Sequence, residues 1–509
     1  ILTYFSVIVA RLSLAERASS QERKIYIVKP ASRSIILRRL FTSIMARTFA
    51  DAVKVLRRRQ SSKTTQMPIS HLSEELPFVP HLQVQGKPHL EGMAGWLEQL
   101  GHEDAINRLT FIHVAGSKGK GSTCAYIDSL LRAHSKRTGY PAKTGLYTSP
   151  HLIDETERIR ISGHPISHDL FAKYAWEVID ALSMNPEQMP SGDNGPGFLQ
   201  SMFLISLHAF VAEKVDVAVI EVHTGGRFCA TNFIQHPAIT AITTLLLDHT
   251  PELGNDIESV TWHKAGIFKK GASAFSTNQV PEAMKVLEDE ARKEQVNLEV
   301  VGTLDNLRNV SGFNSAVQRQ NFSLAWRVCT ALLSPQRQHL NDEVIHTAVA
   351  QVDWPGRFQV LSRKGISWYL DVAHSAPCID EPVKWYKRSS QTRDNITRIV
   401  MFAHIANPRR RDGAKLLTQL VEAIQCISIV PDYVFLTKDK TEDVPALLEK
   451  YKAICDGALT SQVEIEPSVQ QVLDRIEAIE QQSQNVHVLV TGSVFLVGDV
   501  LRLLDYKIN

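Results

Sequence analysis

The stretch FIHVAGSKGKGSTCAYIDSLL, residues 111–131, constrains this chain more than any other segment. An apolar run enters a turn holding Gly116, Gly119 and Gly121, and a helix-like segment follows. Glycines at such a turn let the backbone bend tightly and aim several N–H groups at anionic oxygens, at the positive end of the helix dipole. Gly116, Ser117, Lys118, Gly119, Lys120, Gly121 and Ser122 therefore form a predicted phosphate cradle, with Lys120 as its cation and Ser122 or Thr123 able to reach a metal. The spacing is G-x-x-G-K-G-S, not the common G-x-x-x-x-G-K-[ST], so a general nucleotidase does not follow. A glycine turn with a solvated lysine is the bland alternative, and the placement between strand and helix argues against it.

At 509 residues, 44% of them apolar and 22% charged, the chain can bury a large core and should divide into two or three domains. A net charge of +2 gives no reason to invoke nucleic acid or an anionic membrane as the main partner. Six cysteines without C-x-x-C pairs or metal-ligand spacing point to a reducing compartment. Residues 1–44 read as a separate, disordered region, rich in arginine and serine and poor in acid. That composition suits a mitochondrial presequence, and an upstream extension is the equal alternative. The opening apolar stretch is broken by Arg11, too early for a membrane span. From Met45, MARTFADAVKVLRRRQSS predicts one amphipathic helix.

Beyond the phosphate loop, VDVAVIEV (215–222) and ITAITTLLL (239–247) predict buried parallel strands, and the segments 198–214 and 280–295 predict helices. The alternation resumes past residue 365 with strands in SWYLDVAHS, RIVMFAHI, DYVFLTK and VHVLVTGS, separated by helical segments. Two α/β units follow, 45–353 and 354–509, with the linker at DWPGRF, 353–358. SGDNGPG (191–197) reads as a surface loop.

Open α/β sheets place ligands at strand ends. Glu221 ends one predicted strand and Asp248 and His249 end the next. A carboxylate and an imidazole there suit Mg²⁺ or Mn²⁺ bound with ATP, although a glutamate alone at a strand end is usually solvated or ion-paired and a lone histidine is more often structural than a ligand. Lys264 falls on a predicted helix in TWHKAGIFKKG and by itself is a surface lysine. Arg357 in the linker and Asp371 at a later strand end add a cation and a carboxylate from the second unit. A cleft between two domains is a usual nucleotide site.

HVAGSKGKGSTCAY, KTGLYTSPHLIDETERIRISGHPIS, VDVAVIEV with GGR, LDHTPELG, WHKAGIFKKG, WPGRFQVL, WYLDVAHS and VHVLVTGSVFLVGDVL follow one another in that order. From about Met45 onward the chain resembles the folylpolyglutamate synthases of the Mur ligase superfamily, with a variant resembling a diverged fungal-type paralogue also open. The resemblance implies an α/β fold with a Mur ligase-like N-terminal P-loop ATPase domain and a smaller Rossmann-like C-terminal domain. It implies ATP-dependent addition of L-glutamate to tetrahydrofolate polyglutamates through an acyl phosphate. ATP, Mg²⁺ and a monovalent cation such as K⁺ are the implied cofactors. By position, 116–122 would hold phosphates, Ser149, Glu221 and His249 would bind magnesium, and Arg357 and Asp371 would contact ATP. Lys120, His249 and Lys264 would be catalytic, Lys264 in a carbamylated form. A monomer, without integral membrane association, in the cytoplasm or mitochondrion, is implied as well.

Departures from the family pattern surround these positions. Where the family reads G-I-G-G-R-x-D-x-T-N, this chain has His223, Thr224, Gly225, Gly226, Arg227, Phe228, Cys229, Ala230, Thr231 and Asn232. Gly195, Pro196 and Gly197 replace an aromatic-aromatic-arginine stretch, Val372 replaces a glycine, and the loop from Ala403 to Asp412 is altered. Three readings are open: a working folylpolyglutamate synthase, an amide ligase for a non-folate acid, and a non-catalytic nucleotide-binding protein.

Overall fold

The run before the phosphate turn forms strand β1 (Thr110–Ala115). With β2 (Thr144–Tyr147), β3 (Ile159–Ile161), β4 (His164–Pro165), β5 (Val217–Glu221), β6 (Ile239–Ile242), β7 (Ser273–Thr277) and β8 (Leu298–Val301) it builds an eight-stranded sheet ordered β4-β3-β2-β5-β1-β6-β7-β8. All pairs from β2 to β8 are parallel, and β3 and β4 add an antiparallel edge. Along β5, Val217 and Val219 pack against Ile127, Leu130 and Phe322 on one side. Ala218 and Ile220 pack against Tyr147, Met202 and Phe203 on the other. Burial on both faces is why this strand reads as a nearly unbroken apolar run.

A second sheet, β13-β12-β11-β14-β10-β9, is built from β9 (Gln359–Arg363), β10 (Ile366–Leu370), β11 (Thr397–Phe402), β12 (Tyr433–Thr437), β13 (Gln462–Glu466) and β14 (Val486–Thr491). It is parallel except for the edge strand β9.

This computed structural model describes residues 47–59, 90, 92–184, 195–305, 307, 310–334, 340–390, 395–403, 413–437, 445–483 and 485–508. Phe49–Asn509 forms one unit, and the preceding unit, Ile1–Thr48, contributes only Arg47 and Thr48 to the described residues. The presequence or extension expected at 1–44 thus lies outside them, as do residues 191–194 and 404–412 of the two loops singled out above. The amphipathic helix expected from Met45 is observed over Phe49–Arg58, burying Ala52, Val53 and Leu56.

One predicted strand is cut short. ITAITTLLL is strand only over Ile239–Ile242. The backbone N–H groups of Ser117 and Lys118 donate to the Thr244 carbonyl at 2.9 and 3.1 Å, and Ser117 Oγ donates to Leu246 O at 2.7 Å. Gln279 takes the Thr243 carbonyl and the Leu245 N–H. The groups that a longer strand would offer to a sheet neighbour are used instead by the phosphate loop, through the Thr244 and Leu246 carbonyls, and by the Gln279 side chain.

Candidate active site

The loop after β1 passes directly into the helix Lys120–Thr138 through Gly119, whose φ of 87° lies in the left-handed region. A methyl group at Gly119 would overlap the carboxamide of buried Asn321, so glycine is required there for space as well as conformation. Over Gly121, the Trp354 ring and the Glu221 carboxylate lie 3.1 and 3.2 Å from where a Cβ would stand. Ser122 opens the same helix and lines a cavity of about 190 Å³ with Tyr126, Gln318, Trp354, Arg357 and Phe358.

Glu221 is buried at the end of β5, 4% exposed. Burial raises its carboxyl pKa, while Lys120, 3.9 Å away, and the Ser149 N–H, donating to Oε2 at 3.0 Å, favour the anion. Ser149, Glu221 and Lys120 therefore meet at the mouth of the phosphate loop. Lys264 lies in the helix Ile257–Ala265 and is buried, not on the surface. Its Nζ donates to the Gly116 carbonyl at 2.9 Å. Burial, reinforced by Lys120, lowers its pKa to about 7. Lys118 pairs with Asp248 at 3.0 Å and approaches His374 Nε2, from the second sheet, at 3.2 Å. Because His374 Nδ1 lies 2.9 Å from the Val372 carbonyl and donates to it, Nε2 is left as the acceptor for Lys118. His249 has φ 55° and caps a short helix, with Nδ1 3.3 Å from Glu252.

Arg357 is half-buried beside the cavity, and its guanidinium pKa is lowered by burial, with Asp371 and Glu221 opposing. Asp371 accepts from the Phe358 N–H at 3.0 Å and the Ala373 N–H at 2.9 Å. Burial pushes its pKa up to about 6 despite these bonds and Arg357. The carboxylate thus ties the linker to the end of β10. Among the described residues no three His, Cys, Asp or Glu side chains are grouped to hold a metal ion. The Glu221 carboxylate at the loop mouth, with the Ser149 backbone beside it, fits Mg²⁺, which characteristically takes one or two protein carboxylates and completes its shell with phosphate oxygens and water.

The departures sort by location. His223 Nε2 and Tyr147 OH are 2.7 Å apart and their rings meet edge to face, so the imidazole packs against β2. The close backbone approach of this loop falls instead at the retained Gly226, where a Cβ would stand 2.7 Å from the His263 carbonyl. Cys229 is buried and accepts from Thr231 Oγ1 at 3.2 Å. Val372 belongs to the core of the second sheet with Leu152 and Val497, so that substitution is a matter of packing rather than of the cleft.

Sequence reasoning missed Asn321 and His374. Asn321 is a buried amide that follows Gln318, Arg319 and Gln320 in a mixed helix, so nothing local marks it, and its neighbour Gly119 is remote in sequence. His374 stands three residues after Asp371, where only the fold reveals that it faces Lys118.

A glycine-rich phosphate loop at the carboxyl ends of a parallel sheet, met by a loop from a second α/β sheet, defines a ligase fold of the Mur type. The chain belongs to the folylpolyglutamate synthase family. It is 33% identical over 450 residues to the probable folylpolyglutamate synthase of Schizosaccharomyces pombe, covering 82% of this chain and 88% of that protein. The folylpolyglutamate synthase of Neurospora crassa is 30% identical over 498 residues, covering 90% of this chain and 92% of the relative. Residues 356–503 match the family described as dihydrofolate synthetase, C-terminal domain. In fold, the chain is similar to Mycobacterium tuberculosis folylpolyglutamate synthase complexed with ADP and AMPPCP. That likeness has a TM-score of 0.70 at 22% identity, covering 90% of this chain and all (100%) of that one. Escherichia coli FolC in complex with DHPP and ADP gives a TM-score of 0.68 at 23% identity, with 90% and 98% covered.

Proposed function

We propose that this chain adds L-glutamate to the γ-carboxylate of tetrahydrofolate and its polyglutamates, using ATP and passing through an acyl phosphate. The observation that carries the proposal is the convergence of Lys120, Ser149 and buried Glu221 on the phosphate loop. Amide formation from a free carboxylate is uphill in water, so the carboxylate is first phosphorylated and the amine of glutamate then displaces phosphate. Charge builds on the transferring phosphoryl group, where Lys120 and the loop N–H groups stabilise it. Residues 116–122 hold the phosphates, and Arg357 with Asp371 flanks the nucleotide. Magnesium, held by Ser149, Glu221 and His249, would neutralise phosphate charge, and a monovalent cation such as K⁺ is a further proposed cofactor.

Lys264 is the carbamylation site in this reading. Its low pKa leaves a large fraction of neutral amine near pH 7. That amine adds CO₂ and loses a proton, placing a carboxylate beside Lys120. Asp248 and Lys118 hold the adjoining loop. One chain contributes both sheets, so a monomer suffices. Among the described residues no helix is long and apolar enough to cross a membrane, and the cytoplasm and the mitochondrion are the proposed locations.

The test uses purified protein with magnesium, ATP, tetrahydrofolate and isotopically labelled glutamate, followed by mass spectrometry. Successive glutamyl additions are expected. ADP release only with a different acid would replace folate as the acceptor, and nucleotide binding without turnover with any acid would end the ligase reading.

A further inference from the structure

Residues 149–157 form a strap between the two sheets. At its start, the Ser149 N–H donates to Glu221 at 3.0 Å. At its end, Glu157 accepts from the backbone N–H groups of Leu152, Ile153 and Asp154, closing the segment into a rigid turn. Between them, Leu152 belongs to the core of the second sheet, with Trp368, Val372, Leu496 and Val497. The Ile153 carbonyl accepts from Arg502 Nη2 at 3.3 Å.

Gly498 lies inside the C-terminal helix Val494–Leu503. Glycine in a helix interior costs about 1 kcal/mol relative to alanine, so its presence needs a reason. The reason is contact: a methyl group on Gly498 would overlap the carbonyl oxygen of Leu152. That clash is with backbone, and no side-chain rotation relieves it. The strap therefore rests on the bare surface of this helix.

We propose that Gly498 and Leu152 are positioning residues for the ligase reaction, setting through the strap the places of Ser149 and Glu221 at the phosphate loop. The inference rests on the reading that Ser149 and Glu221 face magnesium and the nucleotide. A Leu152 wedged into one core and a Ser149 bonded to a carboxylate of the other sheet move as one piece, because only two residues separate them and Glu157 holds the turn closed. Displacing the helix surface by one methyl group displaces the strap.

The test compares Gly498→Ala with Leu501→Ala, which removes a fully buried side chain from the same helix and core but leaves the bare Gly498 surface under the Leu152 carbonyl intact. Magnesium-dependent binding of a non-hydrolysable ATP analogue is measured by titration calorimetry, and KM for Mg·ATP and kcat by product release, each at a temperature where the variant is folded. Gly498→Ala is expected to weaken nucleotide binding and raise KM between about tenfold and a hundredfold, the scale of a displacement near 1 Å. Leu501→Ala is expected to lower the melting temperature and leave both constants unchanged. Leu152→Ala keeps the backbone contact but removes the wedge, and is expected to shift the constants the same way by a smaller factor. It also carries the test if Gly498→Ala does not fold. Unchanged constants in folded Gly498→Ala, or in Leu152→Ala where it stands in, overturn the proposal. So does an equal shift in Leu501→Ala. Glu221→Gln separates the two levels: if that variant binds the magnesium complex as the parent does, the reading of the metal side fails, whatever Gly498→Ala shows.

Discussion

Lys264 donates from its buried Nζ to the carbonyl oxygen of Gly116 at 2.9 Å, joining the helix Ile257–Ala265 to the first glycine of the phosphate loop. Its pKa is lowered from 10.5 to about 7, mainly by burial. Between those pH values the folded chain binds fewer protons than the unfolded chain, so this lysine makes stability rise with pH. Below the lower value both states are protonated and the destabilisation is at its full size. In CO₂-free buffer, the stability of Lys264→Met relative to the parent is therefore highest at pH 6 and declines steadily towards pH 10. Urea titrations across that range measure it, and a constant difference would refute the assigned burial of charge.

Carbamylation makes a separate prediction. Removing bicarbonate should lower turnover of the parent at least tenfold, with recovery when bicarbonate returns, and ¹³C-labelled bicarbonate should give a carbamate signal absent from Lys264→Met. Full activity without CO₂ would dismiss this role for Lys264.

Lys120 is half-buried, and its removal leaves Glu221 with the Ser149 N–H. Lys120→Ala is expected to lower kcat by about 10²–10³, the usual scale for losing one fixed charge-stabilising donor. The melting temperature should move little. Near-normal turnover would remove Lys120 from the chemistry.

Asp371 has a pKa raised from 3.8 to about 6 by burial. Between those values the folded chain binds more protons, so its contribution makes stability fall as pH rises through the window. Asp371→Asn loses one of the two N–H acceptors at Phe358 and Ala373, at a cost of about 1–3 kcal/mol. That cost should be larger at pH 4 than at pH 7. Denaturation midpoints that shift equally at both values would contradict the assignment.

Val372 and His223 should separate packing from recognition. Val372→Gly removes a core side chain and adds backbone freedom, costing about 2–4 kcal/mol with unchanged KM for folate. His223→Gly removes the hydrogen-bonding partner of Tyr147 OH and is expected to change the acceptor KM several-fold while leaving that of ATP alone. Steady-state kinetics on both variants decide the matter; a folate effect confined to Val372→Gly would reverse the two assignments.

The sequence alone determined the local elements and the kinds of chemistry present. Glycine spacing announced the turn, apolar runs announced strands buried on both faces, and the strand-end position of Glu221 marked a ligand edge. Those signals are local because backbone conformation and hydrophobic period are set by near neighbours. Contact was decided only by the tertiary structure: Asn321 against Gly119, His374 against Lys118, Leu152 in the second core, and Lys264 buried when its own segment suggested a surface lysine. The shortening of β6 belongs there too, since a carbonyl is lost to the sheet only when a distant loop arrives to take its hydrogen bond. Burial and partner choice depend on residues a hundred or more positions away, and so does the protonation state of each buried group, because desolvation and neighbouring charge set it.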